Sequence, residues 1–329
     1  MPETMKAVVL TSPGGADALQ LTNVPLPQPG PGQVRVRVAA SGVNRADLLQ
    51  RQGRYKVPEG WPTEILGMEF AGEIDALGDG VDAWKVGDRV MGILGGGGYA
   101  EQALTWANQL VAAPSGMDLV EAAAIPEVFM TAFDAMVLQG GLKSGENLLV
   151  HAVGSGVGTA GMQLGRYFGA RVIGTSRTQE KLDRAVELGL EFPVIAGESW
   201  EERVTFATDG IGVDLILDLV GGPYLSRNII VLAEKGRIVV VGVTGGPKAP
   251  FNLRSLMVKR GTIIGTVLRS RPWREKEMLT RAFAEKVLPG FDDGSLKPVL
   301  DQTFAPDAAA DAHRRMEANL NFGKLLIVW

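Results

Sequence analysis

At 329 residues, 46% hydrophobic and 21% charged, the chain is too long for one hydrophobic core and too apolar for disorder, so about two domains are expected. Its net charge of −4 offers no basic field for nucleic acid, and no run approaches the ~18 apolar residues of a membrane span. With no cysteine and only two histidines, His151 and His313, disulfides, thiolate nucleophiles and cysteine- or histidine-rich metal sites are excluded, and no metal ligand is assigned.

The first ten residues, "MPETMKAVVL", show no basic stretch followed by a long apolar core and a small-residue cleavage site, so a cytoplasmic protein is the expectation. From Met5 to about Val111 the pattern is short strands and turns. In "QVRVRVAAS", Val34, Val36 and Val38 alternate with Arg35 and Arg37, which is the period of a half-buried strand. "PLPQPGPGQ" (25–33) and "LGGGGY" (94–99) are connectors, and this half reads as a small irregular β-barrel with one or two helices. From about Asp118 apolar strands such as "NLLVHAV", "ARVIGTS", "VDLILDLVG" and "GRIVVVGV" alternate with helical stretches, which predicts βαβ units and a parallel sheet. The tail from Pro272 ends in "KLLIVW", a strand that could return to the first barrel and make that domain discontinuous.

Within residues 148–177, Gly156, Gly158 and Gly161 fit G-x-G-x-x-G, and Gly154 allows a second register. A bare match reads equally well as a tight strand-to-helix turn. Here a strand precedes, a helix follows, and a second strand ends about twenty residues on, which favours a dinucleotide site made by Gly154, Ser155, Gly156, Val157 and Gly158. Where an NAD site usually carries Asp or Glu, the second strand ends in Ser176 and Arg177, with Lys181 a helical turn later. A hydroxyl and two cations suit a 2′-phosphate, so NADPH is the expected cofactor. His151, at the end of a buried strand, reads as a structural hydrogen-bonding residue, and His313, in "DAHRRMEAN", as a helix-surface residue.

The segments "AASGVNRADLLQRQGRY" (39–55), "ILGMEFAGEI" (65–74), "GGGGYAEQ" (95–102), "EAAAIPEVFMTAF" (121–133), "LDLVGG" (217–222) and "GTVLRSR" (265–271) give the chain an end-to-end resemblance to the medium-chain dehydrogenase/reductase superfamily. In particular it resembles the zinc-free quinone oxidoreductases, sharing "NRADLLQRQG", "AAAIPE", "SGVGTA" and "LRSR" nearly verbatim with their p53-inducible branch. The resemblance implies an α/β protein: a GroES-like irregular β-barrel catalytic domain (1–122 and 267–329) and a doubly wound parallel-sheet, or Rossmann, cofactor domain (123–266). Zinc-dependent members hold their catalytic metal through Cys, His and Cys, where this chain has Asn44, Met68 and Glu127.

The resemblance further implies that Asn44 and Tyr55 lie in the catalytic cleft as hydrogen-bonding groups, that Thr131 sits beside the nicotinamide, and that Gly242 and Lys324 join the cofactor set. Glu69 and Glu127 are taken as cleft-wall or structural groups. Relatives often place a Tyr near the adenine, yet the matching loop reads "EFPVIAGESW". The implied activity is metal-free hydride transfer from NADPH to a quinone or similar conjugated carbonyl, which delocalises incoming charge without a Lewis acid. A reductase of enals or enoyl thioesters, with Arg269, Arg271 and Arg274 as a basic rim for carrier phosphates, and a non-catalytic NADPH-binding protein are the alternatives. A homodimer paired through the apolar strand at 261–268 is expected, since such a strand left bare at a sheet edge invites aggregation.

Overall fold

The alternating valines of segment 33–43 set the first sheet. In the computed structural model, which describes residues 3–329, this segment is one long strand, Gln33–Val43, with Val34, Val36 and Val38 buried. It pairs antiparallel with Glu69–Leu77 along one side. Its other side pairs with Gln102–Trp106 at the start and with the C-terminal strand Lys324–Val328 at the end, Leu325 facing Val43. The valines pack with Phe70, Ile74, Val90 and Leu110 into one apolar core. A second core gathers Val43, Leu48, Leu66, Tyr99 and Leu325 against Ala309, Ala312 and Met316 of the helix Ala309–Glu317. Burial on this scale is the main force holding the sheet and its helices together.

The chain divides into two compact units, one running to Glu127 and resuming over Leu268–Trp329, the other being Val128–Val267. The second unit is a six-stranded parallel sheet. Its strands are β1 (Asn147–Val150), β2 (Arg171–Ser176), β3 (Phe192–Ile195), β4 (Val213–Asp218), β5 (Leu232–Val240) and β6 (Thr262–Gly265). They lie in the order β3-β2-β1-β4-β5-β6. Every residue of β1 is buried, as expected for a strand covered on both faces. That strand order reverses direction between β1 and β4, and in open α/β sheets the crevice at the carboxyl ends of such strands is where ligands bind.

The helix Gly156–Tyr167 follows β1 directly. A Cβ on Gly161 would lie 2.7 Å from Leu217 of β4, and one on Gly165 would lie 2.5 Å from Leu148 of β1, so the helix rests on the sheet at a distance only glycine permits. Among the described residues no helix is long and apolar enough to cross a membrane.

Candidate active site

In the first unit the polar side chains converge on a buried ion pair. Lys324, 3% exposed, points its ammonium at Val43 O (3.0 Å), Asn44 Oδ1 (2.8 Å) and Glu69 Oε1 (2.5 Å). Glu69, fully buried, also accepts from Asn44 Nδ2 at 2.8 Å, and its second oxygen accepts the Glu127 backbone N–H at 2.8 Å. Burying two charges is tolerated only when every donor and lone pair finds a partner. Gly42 makes the space, since a Cβ there would stand 2.1 Å from Glu69 Oε1.

Asn44 precedes the helix Arg45–Arg51, and its N–H donates to Asp47 Oδ2 at 2.8 Å. Asp47 accepts in addition from Gly67 N (3.2 Å) and Tyr99 Oη (3.2 Å). Tyr99 Oη stands 3.1 Å from His313 Nε2, and His313 Nδ1 stands 3.4 Å from Arg51 Nη1. Arg51 can only donate, so Nδ1 of His313 accepts, Nε2–H donates to Tyr99, and the tyrosine hydrogen goes to Asp47. Burial depresses the His313 pKa to about 3 and lifts that of Asp47 to about 6, so the imidazole stays neutral at physiological pH. His313 is therefore not the surface residue expected from sequence. It shares a buried helix face with Ala309, Ala312 and Met316.

Beside this network lies a looser group. Arg269, 3% exposed, donates from Nε to Gly95 O at 2.9 Å and from Nη2 to Gln50 Oε1 at 2.6 Å. Its Nη1 is buried without a partner among the described residues. The guanidinium carbon sits 5.3 Å from the ring centroid of Tyr55, which is half-buried. Burial and Glu127 raise the Tyr55 pKa, opposed by Arg269. Burial lowers the pKa of the half-buried Lys276, opposed by Glu127.

In the second unit, Ser155 caps the helix Gly156–Tyr167 by accepting from Gly158 N at 3.1 Å. A Cβ on Gly158 would lie 2.3 Å from Ala152 O, so the turn folds tightly under the helix start. His151, fully buried, bridges Thr175 Oγ1 (Nδ1, 2.8 Å) and Asn228 Oδ1 (Nε2, 2.7 Å). Asn228 Nδ2 continues to Asp218 Oδ2 at 3.1 Å, and Asp218 Oδ1 accepts the N–H groups of Val220 and Gly221 at 2.8 and 2.9 Å. One chain of hydrogen bonds thus ties the ends of β1, β2 and β4 together. Burial lowers the pKa of His151, which fits a neutral connector.

Two family descriptions match this arrangement: an alcohol dehydrogenase GroES-like domain over residues 30–115 and a zinc-binding dehydrogenase over residues 156–284. A human quinone oxidoreductase is 32% identical over 321 residues, covering 95% of this chain and 94% of its own. The chain belongs to the quinone oxidoreductase family of the medium-chain dehydrogenase/reductase superfamily. A quinone oxidoreductase structure from Pseudomonas syringae pv. Tomato DC3000 superposes with a TM-score of 0.88 at 29% identity, over 99% of this chain and 100% of that one. An NAD-dependent alcohol dehydrogenase structure superposes with a TM-score of 0.89 at 32% identity, over 99% and 100%. The fold is accordingly a GroES-like domain joined to a Rossmann-type domain, and the protein is an oxidoreductase of a nicotinamide cofactor.

The residues of a quinone oxidoreductase must hold that cofactor, and those of the second unit fit it. The N–H groups of Gly156 and Val157 head a twelve-residue helix with no acceptor among the described residues, as a pyrophosphate requires. Gly154 is buried in the turn, and Gly242 follows β5, where a Cβ would stand 3.1 Å from Leu219 O. At the end of β2, Ser176 is buried, Arg177 is exposed and Lys181 is half-buried. Thr131, on the helix Pro126–Phe133, keeps a buried Oγ1 with no partner among the described residues.

Two of the expected site residues are engaged in the first unit's buried network. Lys324, expected at the cofactor, spends all three ammonium hydrogens on Val43, Asn44 and Glu69. Asn44, expected to donate to the acceptor oxygen, has its amide oxygen bound to Lys324 and its amide nitrogen directed to Glu69, with Gly42 O at 3.4 Å. Arg269 is likewise interior rather than part of a basic rim. The missed residue is Arg269 as a partner of Tyr55, for which "LRSR" in a loop gave no burial signal.

Breaking the ion pair from one side leaves a buried unpaired charge. Lys324→Met should lower unfolding free energy by about 3–5 kcal/mol, and pairing it with Glu69→Gln should recover most of the loss. Denaturant titration of the three variants checks this, and additive losses would show that the two charges do not depend on each other.

Proposed function

We propose that the chain is an NADPH-dependent, metal-free reductase of quinones or similar conjugated carbonyls. The observation that carries the cofactor choice is the end of β2. Ser176, the exposed Arg177 and Lys181 stand there, and no carboxylate occupies residues 174–178 to bond a ribose 2′-OH or repel a phosphate. For the acceptor, the named activity of the human and Pseudomonas relatives supports a quinone. The Lys324 ammonium supports the metal-free reading, because a cation already neutralises Glu69 beside Asn44.

When bound, the reduced nicotinamide supplies the hydride. The Ser155-capped helix, with its open N–H groups, would hold the cofactor's pyrophosphate, and Thr131, with its unpartnered hydroxyl, would hold the nicotinamide end. Tyr55 and Arg269 Nη1 meet the acceptor oxygen, where donors aimed at developing negative charge lower the barrier most. Asn44 acts as a positioning residue, fixing Lys324 and Glu69. The buried Arg269 leaves only Arg271 and Arg274 for a carrier-phosphate rim, which disfavours the enoyl-thioester alternative.

We also propose a homodimer. Among the described residues β6 pairs only with β5 and forms the edge of its sheet. Next to it in sequence, the helix Leu253–Lys259 exposes Leu253, Met257 and Val258. Apolar side chains beside a bare edge are ordinarily covered. Light scattering should return twice the subunit mass, and a monomer at micromolar concentration would contradict the assignment.

Losing one charge-assisted phosphate contact costs about 1.5–3 kcal/mol, roughly one to two powers of ten in affinity. Arg177→Ala and Lys181→Ala should each weaken NADPH binding by that factor and leave NADH binding nearly unchanged, as measured by fluorescence titration. Unchanged NADPH-to-NADH ratios in both variants would remove the assignment. Tyr55→Phe should lower kcat for a quinone about tenfold while NADPH affinity holds, because a donor to developing charge acts on the transition state. A rise in KM alone would make Tyr55 a binding contact only.

A further inference from the structure

Glu127 is the one carboxyl of the first unit's polar cluster that the hydrogen-bond network does not absorb. Pro126 and Glu127 open the helix Pro126–Phe133, and the Glu127 N–H is pinned to Glu69 Oε2 at 2.8 Å. Its side chain makes no hydrogen bond or ion pair among the described residues, although it is only half-exposed. The charges in its field come from every side: Glu69 and Asp47 as carboxylates, Lys324 and Arg269 as cations. Tyr55 and Lys276 feel the Glu127 charge in turn. Tyr55 lies on Arg269, whose Nη1 is buried and unpartnered, so an open acid, a phenol and an unpaired guanidinium N–H share one locality.

We infer that Glu127 is the general acid of the reduction, giving its proton to the acceptor oxygen that Tyr55 and Arg269 hold. This inference rests on the conjugated-carbonyl reading above. Hydride brings two electrons and one hydrogen to the conjugated system, and the carbonyl π pair moves on to oxygen. An O–H bond forms there as the Glu127 O–H bond breaks, and the carboxylate left behind regains a proton from water. Tyr55 orients the oxygen but is a much weaker acid. Burial and Glu69, opposed by Lys324 and Arg269, push Glu127 up to about 8, so it carries its proton at neutral pH, where a general acid must.

In the full-length protein with saturating NADPH, kcat/KM for a soluble benzoquinone should fall as pH rises through about 8. Glu127→Gln should be about 100-fold slower and lose that alkaline limb, with NADPH affinity unchanged. Independently of turnover, the Glu127 side-chain carboxyl carbon of the cofactor-free parent should titrate near pH 8 by ¹³C NMR, assigned through Glu127→Asp if Glu127→Gln does not fold. Parent rate in Glu127→Gln, slower turnover with the alkaline limb intact, or a carboxyl titrating in the ordinary range near 4–5 each overturns the role. A parent that reduces no conjugated carbonyl overturns the functional reading with it, whereas an active parent unaffected by Glu127→Gln removes this inference alone.

Discussion

The first unit is organised around one buried ammonium. Lys324 begins the last strand of the chain, yet its three acceptors come from Val43, Asn44 and Glu69, at the ends of two strands far earlier in sequence. Desolvating a lysine costs several kcal/mol unless all three hydrogens are bonded. The pairing of Lys324–Val328 with Ala40–Val43 is therefore fixed in register as well as in partner. A shift of one residue would turn the ammonium to the other face and leave Glu69 buried and uncompensated. Gly42 is bound to the same requirement, because the space a side chain would fill is taken by the Glu69 carboxylate.

The second unit solves a similar problem with neutral groups that end on a single carboxylate. Parallel strands leave polar groups at their carboxyl ends, where a ligand crevice must remain open. His151, Thr175, Asn228 and Asp218 satisfy one another across β1, β2 and β4, and Asp218 ends the chain on the backbone of Val220 and Gly221. Both histidines of the protein are thus neutral connectors in buried networks. In each, the partner that can act only as donor or only as acceptor sets the tautomer of the rest. Fully satisfied networks of this kind hold strand ends rigidly, and the one buried carboxylate, Asp218, has its oxygens occupied by Asn228 and the backbone N–H groups of Val220 and Gly221.

Much of this was legible in the sequence, and the failures have physical causes. The alternation in 33–43 and the continuous apolar runs of β1, β4 and β5 report one- and two-sided burial directly, so the barrel-like sheet and the parallel sheet could be read from them. The glycine turn was legible because backbone approach leaves a residue signature. His313 was misread although its helix carried the answer: Ala309, Ala312 and Met316 mark the apolar face at helical spacing, and a histidine among them is interior. Arg269 and Lys324 were beyond reach by such means. Their burial is decided by Gly95 O, Gln50, Val43 and Glu69, all more than a hundred residues away, and no local period encodes those partners.

Charge balance links that ion pair to the acidity of its surroundings. With Glu69 and Asp47 ionised, the buried carboxylates are matched by Lys324 and Arg269, and the half-exposed Lys276 is held below its usual pKa by burial. Beyond those two pairs, Glu127 has among the described residues only Lys276 to offset its charge. Ionising it would place a further negative charge in a low-dielectric region already at balance, next to a Glu69 whose position is locked by three hydrogen bonds and whose charge cannot relax away. Removing the Lys324 cation would deepen that imbalance, and neutralising Glu69 would relieve it. The strand pairing that closes the first sheet thus also sets how firmly Glu127 keeps its proton, and a change in one buried charge is felt at the others before it is felt in the fold.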